Sequence, residues 1–457
     1  MSISSINPVN GELIQEYPAD TVNQLREKVE LTHQSWLDYR KTSWQTRSAG
    51  LDRMAELLLE RKQDLARLMA LEMGKPLKDG VAEIEKCAAV CQYYAAQGER
   101  FLKDETVETA AGKSYVTFQP IGVVLAIMPW NFPFWQLFRF LAPALMAGNA
   151  GLLKHASNVT GCALAISALV EDAGFPENIF NVLITSSKYI EEVIAHPLVK
   201  AVTLTGSTAA GMSVAEQSGK LLKKTVLELG GSDPYLVLAD ADIELAAKVC
   251  AEARLINNGQ SCIAAKRFIV VKEVEEEFTT LFRSHMAAKK TGDPLLAGTD
   301  LGPMARADLR DELHGQVQEC ISQGAKCILG GNIPDFPGDH AFYEPTILSG
   351  IKPGMLVYKE EIFGPVAAIF TAIDTDDAVR IANDTNFGLG AAVFTRNAAL
   401  AEDIARNQLQ AGSCFVNTNV KSDPKLPFGG INQSGYGREL GLYGIREFVN
   451  IKTVFIQ

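Results

Sequence analysis

Cys262 and Glu228 are two residues whose types and contexts could together carry covalent chemistry. Cys262 stands in the segment GQSCI, and Glu228 opens the segment ELGG upstream of it. A cysteine attacks as its thiolate, and a covalent thiol intermediate needs a second group to activate the water that clears it. The two residues therefore predict a thiol nucleophile and a carboxylate base.

The surroundings of Cys262 distinguish it from the other cysteines. A free cysteine is most often a small buried hydrophobic residue. Asn257, Asn258 and Gly259 precede Cys262, and these residue types let the backbone leave a helix and turn amide N–H groups toward the sulfur. The remaining cysteines, which lie in apolar or helical patterns, are Cys87, Cys91, Cys162, Cys250, Cys320, Cys327 and Cys414.

Two turns that follow predicted strands carry polar side chains. Pro129 and Pro133 restrict the backbone around Asn131, whose amide could donate to a developing oxyanion or could simply cap a helix. Gly206 and Ser207 open a predicted helix, where free N–H groups and the helix dipole suit a phosphate. Ser caps without any ligand are common, so this turn alone indicates only a capped helix or a phosphate site.

Two further motifs permit a structural or a binding interpretation. The segment EEIFGP, which contains Glu361 and Phe363, is either a polar turn before a strand or part of a site. The glycine-dense segment from Phe428 to Glu439 is either a mobile connection or a place where backbone passes close to a ligand.

The pattern around these motifs predicts an α/β protein. Amphipathic helices open the chain, with a cap at Asp20 or Thr21 and a stop at Gly74. Short apolar strands then alternate with helices, which predicts parallel sheets that bind ligands at the carboxyl ends of their strands. The predicted strands are 121–128, 150–156, 178–184 and 200–206, followed by 234–239, 266–271, 343–348 and 367–370.

Length and charge narrow the function classes. A chain of 457 residues is longer than a single hydrophobic core usually supports, so two or three domains are expected. A formal charge of −11 without a basic stripe argues against nucleic acid and anionic membrane as partners. The N-terminus lacks a secretory pattern, and no apolar run reaches the ~18 residues of a membrane span. Eight cysteines without a metal-binding pattern predict free thiols in the cytoplasm and no metal site.

Six motifs occurring together resemble the aldehyde dehydrogenase superfamily. PWNFP, LTGST, LELGG, GQSC, EEIFGPV and PFGG…SGYGRELG stand in the family's order and spacing, from about residue 7 to the end. The resemblance implies two Rossmann-type parallel α/β domains and a small β oligomerisation element. It places a dinucleotide-binding domain at 1–105 and 121–230, a catalytic domain at 231–438 and bridging strands at 106–120 and 439–457. A homodimer or homotetramer is expected.

The resemblance also implies roles for single residues. Cys262 would form a thiohemiacetal and then a thioester, with Asn131 and the Cys262 N–H holding the oxyanion. Glu228 would activate the hydrolytic water, and Glu439 would be an outer carboxylate of the proton relay. The positions that match the family's dinucleotide contacts are Trp130, Lys154, Ser157, Gly206, Ser207, Leu229, Glu361 and Phe363.

The cofactor predicted by the resemblance is NAD or NADP. NAD-preferring relatives often carry glutamate three residues after the lysine that corresponds to Lys154, and this chain has Ser157 there. Without that carboxylate a 2′-phosphate meets no repulsion. Use of both nucleotides is expected, with a slight preference for NAD. His155 replaces a usual proline and is interpreted as a packed or capping histidine.

Arg139 suggests the class of substrate. It follows Asn131 on a predicted helix of apolar residues, where an arginine without a partner is costly. Its partner would be either a substrate carboxylate or a protein carboxylate. Succinate-semialdehyde dehydrogenases carry arginine at this position, and the chain resembles them in that respect. A second arginine of some of those enzymes is Ile256 here, and the substitutes suggested for it are Trp135, Ser422 and Lys425.

These observations predict an NAD(P)-dependent aldehyde dehydrogenase that oxidises succinate semialdehyde to succinate. The alternatives are another ω-carboxylic or aliphatic aldehyde as substrate, transfer of the acyl group to CoA, and a noncatalytic scaffold of the same fold. Glu228 favours water as the acyl acceptor, since a base at that position serves hydrolysis. The presence of Cys262, Glu228 and Asn131 together argues against the scaffold.

Overall fold

The computed structural model describes residues 2–338 and 340–457, so Met1 and Asp339, which fall within the predicted domain ranges, lie outside the described residues. The strands, β1 to β18 in chain order, are Ser2–Ile6, Leu13–Pro18, Glu105–Thr106, Lys113–Pro120, Val123–Met128, Ala150–His155, Phe180–Val182, Val199–Thr205, Lys224–Glu228, Pro234–Val237, Arg267–Val271, Lys326–Leu329, Thr346–Ser349, Val366–Ala372, Gly390–Phe394, Ser413–Val416, Gly435–Tyr436 and Val449–Ile456.

The helices, α1 to α15 in chain order, are Val22–Tyr39, Trp44–Glu60, Lys62–Met73, Leu77–Leu102, Trp135–Met146, Thr160–Asp172, Ile190–Ala195, Thr208–Lys220, Ile243–Leu255, Glu275–Ala287, Ala307–Ser322, Leu356–Lys359, Thr375–Asn383, Ala398–Asp403 and Gly441–Glu447. Short 3₁₀ turns lie at Ser157–Val159, Ser187–Tyr189, Ile256–Gly259, Lys272–Val274 and Asn432–Ser434, and a π turn lies at Ile404–Gln408.

A six-stranded sheet holds the first set of motifs. Its order is β17-β9-β8-β5-β6-β7, and its strands are parallel except β17. The chain proceeds outward in one direction through β6 and β7, and in the other direction through β8 and β9. The strand order therefore reverses between β5 and β8, which is where α/β sheets bind ligands. The turns that contain Asn131 and Ser207 lie directly after these two strands.

A seven-stranded sheet forms the second unit. Its order is β12-β13-β14-β11-β10-β15-β16, and it is parallel except for β12. The segment that carries Cys262 connects α9 to β11 of this sheet. The strand β17 joins the first sheet, where Gly435 and Tyr436 pair with Glu228 and Leu227.

A three-stranded antiparallel sheet, β18-β4-β3, contains strands from both predicted bridging segments, 106–120 and 439–457. Residues 113–120 pair with residues 449–456 of the same chain. The strand β18 remains largely exposed, including the side chains of Ile451, Phe455 and Ile456.

The first helices follow their predicted signals. Thr21 caps α1 with a reciprocal capping box, and Gly74 ends α3 in the left-handed conformation with φ 76°. The hairpin of β1 and β2 before α1 was not predicted. In residues 2–338 and 340–457, no helix has the length and apolar character needed to cross a membrane.

Candidate active site

A cavity of about 250 Å³ lies where the turns after β5 and β8 meet the segment that carries Cys262. It brings together residues that are far apart in the chain. The sequence-predicted site residues that line it are Trp130, Asn131, Gly206, Ser207, Leu229, Cys262, Glu361 and Phe363. Gln136, Thr205 and Leu309 also line the cavity and were not predicted. Glu228 itself is not among the lining residues.

The backbone before Cys262 is held in an unusual conformation. Asn257, Asn258 and Gly259 are all left-handed, with φ of 53°, 58° and 75°, which is costly for the two asparagines. Side-chain hydrogen bonds stabilise it. Asn257 Nδ2 donates to the Asn131 carbonyl over 2.7 Å, and Asn258 Oδ1 accepts the Gly302 N–H over 2.8 Å. The predicted departure from the helix before Cys262 is confirmed.

Gly259 fixes the approach of a second motif. A Cβ at Gly259 would overlap the carbonyl oxygen of Gly364, which belongs to the EEIFGP segment. Only glycine therefore lets these two backbones lie in contact. The contact holds Glu361 and Phe363 close to the loop that carries Cys262.

Asn131 has a donor available to the cavity. One N–H of its side-chain amide donates to the Gln260 carbonyl over 3.0 Å, and an amide NH₂ has a second N–H. The Cys262 backbone N–H also forms no hydrogen bond within the part of the chain that the structure describes. A carbonyl oxygen of a substrate at Cys262 could thus accept two hydrogen bonds, as oxyanion stabilisation requires.

The Cys262 residue is partly exposed and lines the cavity. Burial raises the pKa of Cys262 to about 12, although the charges of Arg139 and Lys266 oppose that shift. Lys266 Nζ donates to the Cys262 carbonyl over 2.7 Å and forms an ion pair with Glu361 Oε1 at 3.0 Å. Desolvation therefore outweighs the two cations at the Cys262 sulfur.

Glu228, Glu439 and Arg139 form a buried group. Burial and the charge of Glu439 raise the pKa of Glu228 well above its usual range, while Arg139 lowers it. Neither oxygen of Glu228 has a hydrogen-bond partner among the described residues. Burial also raises the pKa of Glu439, and Arg139 opposes this. Burial therefore favours the neutral form of the Glu228 carboxyl group, which has to be ionised to act as a base.

Arg139 has a protein carboxylate as its partner. Its Nε lies 2.7 Å from Glu439 Oε2, both side chains are almost fully buried, and the guanidinium stacks over the Phe428 ring at 4.6 Å. The sequence left a substrate carboxylate and a protein carboxylate open as partners of Arg139, and the structure shows the protein carboxylate of Glu439. The sequence could not show the pairing, because 300 residues separate Arg139 from Glu439.

Glu361 and Phe363 also line the cavity. Glu361 Oε1 accepts the Gly231 N–H over 3.1 Å in addition to its ion pair with Lys266. The Phe363 ring meets the Trp130 ring edge to face, with centroids 5.8 Å apart. A carboxylate and an aromatic face beside a helix N-terminus can bind the sugar, ring and phosphates of a dinucleotide.

Lys154 and Ser157 lie at the carboxyl end of β6, next to β5 but outside the lining of the 250 Å³ cavity. Burial lowers the pKa of Lys154. His155 packs as predicted: its Nδ1 accepts the Ala156 N–H and its Nε2 donates to the Pro133 carbonyl, both over 2.9 Å. Burial lowers the pKa of His155 to about 4, so this ring is neutral.

The three suggested substitutes for a second arginine do not lie together. Trp135 Nε1 donates to Ser422 Oγ over 3.1 Å, so these two are in contact. Lys425 is exposed. Its backbone N–H donates to Asp423 Oδ1 over 2.9 Å in an Asx turn. The structure brings Lys86 to Ser422 instead. Its helical position gave no signal in the sequence.

Comparison with known proteins identifies the family. The model described as "Aldehyde dehydrogenase family" matches residues 1–454. The chain belongs to the aldehyde dehydrogenase family. A probable succinate-semialdehyde dehydrogenase [NADP(+)] of Synechocystis sp. is 48% identical over 456 residues, which covers 100% of both chains. Succinate-semialdehyde dehydrogenase [NADP(+)] 1 of Mycobacterium tuberculosis is 46% identical over 459 residues, with 100% of both covered.

Solved aldehyde dehydrogenase structures share the fold. The succinic semialdehyde dehydrogenase of Streptococcus pyogenes, in complex with NADP+, matches with a TM-score of 0.97, 36% identity and 99% of each chain covered. The predicted fold class, with parallel α/β sheets of the aldehyde dehydrogenase type, is confirmed. The names of these relatives carry NADP(+) and give no support to the predicted slight preference for NAD.

Proposed function

We propose that this aldehyde dehydrogenase oxidises succinate semialdehyde to succinate with NADP as hydride acceptor and NAD as an alternative. One observation carries the proposal: Cys262 and Asn131 line one cavity in a chain that is 48% identical over its full length to a probable succinate-semialdehyde dehydrogenase. Small-molecule aldehydes are the substrate class of the family.

The residues of the chain would act in two stages. The Cys262 sulfur, after losing its proton, attacks the aldehyde carbon, and the N–H groups of Asn131 and Cys262 donate to the oxyanion. A nicotinamide dinucleotide, when bound, supplies the hydride acceptor. Glu228 then takes a proton from the water that attacks the thioester, which releases succinate and restores the thiol. Glu439 would pass the proton onward.

Glu228 must move for this second stage. Its carboxyl group lies away from the cavity, where a Cβ added to Gly429 would come within 2.6 Å of Oε1. Both oxygens lack hydrogen-bond partners within the described residues, so a rotation toward Cys262 breaks no hydrogen bond of the carboxyl group. Gly429 has no side chain and so leaves room for the Glu228 carboxyl group in this position. The glycine-dense segment would therefore act by accommodating Glu228.

The residues present fit a dinucleotide. Gly206 and Ser207 lie directly before α8, whose first N–H groups suit a pyrophosphate. The Gly206 N–H itself donates to the Glu228 carbonyl over 3.0 Å, and Leu229 packs against Gly211 of α8. Glu361 offers a carboxylate to a ribose. Lys154 and Ser157 lie at the carboxyl end of β6. A lysine without a neighbouring carboxylate at this position suits a 2′-phosphate. This charge pattern is the reason for proposing NADP ahead of NAD.

We also propose a homodimer or homotetramer in the cytoplasm. Exposed apolar side chains on β18, including Ile451 and Phe455, support assembly because apolar strand edges favour association. The cysteines are free thiols in the structure, in keeping with a reducing compartment. The domain boundaries predicted from the sequence are kept as part of this proposal.

Steady-state assays test the proposed function. The wild-type protein should reduce NADP with succinate semialdehyde at a higher kcat/KM than with butanal, and Cys262→Ala should lose turnover while still binding nucleotide. Absence of any aldehyde oxidation would support the noncatalytic scaffold. Dependence on CoA would support acyl transfer, and preference for butanal would support an aliphatic substrate.

A further inference from the structure

Lys266 is a buried cation directly before β11, with its side chain 2% exposed. Its ammonium group donates to the Ser261 carbonyl over 3.0 Å and to the Cys262 carbonyl over 2.7 Å. It also pairs with Glu361 Oε1 at 3.0 Å. An ammonium group has three N–H donors, so these contacts use all of them. Lys266 therefore joins the loop of the proposed nucleophile to the EEIFGP segment.

The contacts of Lys266 orient the Cys262 N–H. In a planar trans peptide, the C=O and N–H groups point in opposite directions. The Ser261 carbonyl, which accepts from Lys266, belongs to the same peptide unit as the Cys262 N–H. Lys266 therefore holds this N–H pointing away from its own ammonium group. The Cys262 N–H is one of the two donors proposed for the oxyanion.

The same ammonium group orients the Glu361 carboxylate. Oε1 accepts from Lys266 and also from the Gly231 N–H over 3.1 Å. Oε2 lies against Gly230, where an added Cβ would overlap it, and it forms no hydrogen bond within the part of the chain that the structure describes. Glu361 lines the cavity. Lys266 thus occupies one oxygen of the carboxylate and leaves the other for the hydroxyl groups of a ribose.

The two members of this ion pair act on the Cys262 thiol in opposite directions. Burial raises the pKa of Cys262, and the charges of Arg139 and Lys266 lower it. The charges of Glu361 and Asp233 act in the same direction as burial. Removing Lys266 and removing Glu361 should therefore have opposite effects on the reactivity of the thiol.

We propose that Lys266 is the positioning residue of this site: it directs the Cys262 N–H to the substrate oxygen and the free oxygen of Glu361 to the ribose of the dinucleotide. The inference rests on the proposed function, which gives Cys262 and Glu361 their roles. A lysine that only stabilised the loop would affect folding and leave the reactivity of Cys262 in the folded protein unchanged.

Alkylation of the cofactor-free protein measures the effect of each charge. Iodoacetamide reacts with the thiolate, and mass spectrometry of the peptide that contains Cys262 gives the rate from about pH 7 to about pH 10. Lys266→Met should lower the rate by about three- to tenfold at each pH, because loss of a nearby positive charge raises the pKa of a thiol. Glu361→Gln should raise the rate, and the double variant should lie between the two.

The opposite signs separate the proposal from a general loosening of the loop, which would expose Cys262 and speed alkylation in both variants. Exposed Cys327 is the internal reference, and its rate should be the same in all proteins. Lys272→Met is the matched control. Lys272 is exposed and directly follows β11, so this variant removes the same charge at the other end of the strand. Its Cys262 rate should match that of the wild type.

Nucleotide binding tests the orientation of Glu361 without turnover. In calorimetry with NADP and the Cys262→Ala protein, adding Lys266→Met or Glu361→Gln should weaken binding by about tenfold, the range of a hydrogen bond to a charged group. The two changes together should weaken it no more than either alone, because both remove one arrangement. Losses that add would overturn the orientation of Glu361 by Lys266.

Turnover tests the orientation of the Cys262 N–H. With Lys266→Met, kcat/KM should fall by about tenfold or more for succinate semialdehyde and for butanal alike, because an oxyanion donor serves every aldehyde. Unchanged kcat/KM for both aldehydes would contradict this part of the inference.

The outcomes separate the two proposals. Alkylation at the wild-type rate in Lys266→Met and in Glu361→Gln overturns the role of Lys266 and leaves the proposed function intact. If Lys266→Met does not fold, Glu361→Gln decides: a faster rate supports the inference, and an unchanged or slower rate overturns it. A wild-type protein that oxidises no aldehyde contradicts the proposed function, whatever the alkylation rates.

Discussion

Arg139 and Glu439 form a buried ion pair, with Nε of the arginine 2.7 Å from Oε2 of the glutamate. Both charges act on Glu228, the proposed base, in opposite directions. The two charges of the ion pair therefore influence the pKa of the group that would activate water. It also explains why a buried arginine is tolerated on an apolar helix before any substrate binds.

Removing Arg139 alone should destabilise the protein. Arg139→Met leaves Glu439 buried without a partner, and breaking such a pair typically costs about 3–5 kcal/mol. The double variant Arg139→Met with Glu439→Gln removes both charges and should recover a large part of that loss. Urea unfolding of the wild type, Arg139→Met, Glu439→Gln and the double variant measures the effect. Equal stability of all four would show that the ion pair does not form.

Gly259 should tolerate no side chain. Gly259→Ala meets a positive φ of 75° and also the Gly364 carbonyl, whereas Gly174→Ala meets a φ of 80° with nothing within 4 Å. The conformation alone costs about 1–2 kcal/mol, so Gly174→Ala should lower stability by that amount and keep activity. Gly259→Ala should lower Tm further and lose most activity. Similar behaviour of the two variants would contradict the close approach of the backbones.

Ser157 should influence the choice of nucleotide. Ser157→Glu places a carboxylate near the proposed 2′-phosphate position, so KM for NADP should rise by about tenfold or more, the equivalent of about 1.4 kcal/mol. KM for NAD should change little. Ser284→Glu adds the same charge on exposed α10 and should affect neither nucleotide. An unchanged NADP KM in Ser157→Glu would remove position 157 from the cofactor site.

The parallel architecture could be predicted from the sequence because its signals are local. The strands at 121–128, 150–156, 178–184 and 200–206 alternate with helices, and the structure has strands within all four ranges. The strands β15 and β16 were missed. The partner of β4 was also unknown, since pairing 113–120 with 449–456 joins distant parts of the chain.

The site could be predicted in part for the same reason. Motifs identified most of the residues that line the cavity around Cys262. The meeting of Lys86 and Trp135 at Ser422 has no motif, because these three residues come from separate segments of the chain. The ionisation of Cys262 and Glu228 also required the structure, since burial of both groups outweighs the charges that a sequence shows.

Intact-protein mass spectrometry of Glu228→Gln tests the central claim, that Cys262 carries the acyl group and Glu228 clears it. After incubation with succinate semialdehyde and NADP, the variant should gain the mass of one succinyl group on the peptide that contains Cys262. The wild type should show little of this adduct because hydrolysis removes it. Normal turnover by Glu228→Gln with no adduct would contradict the claim.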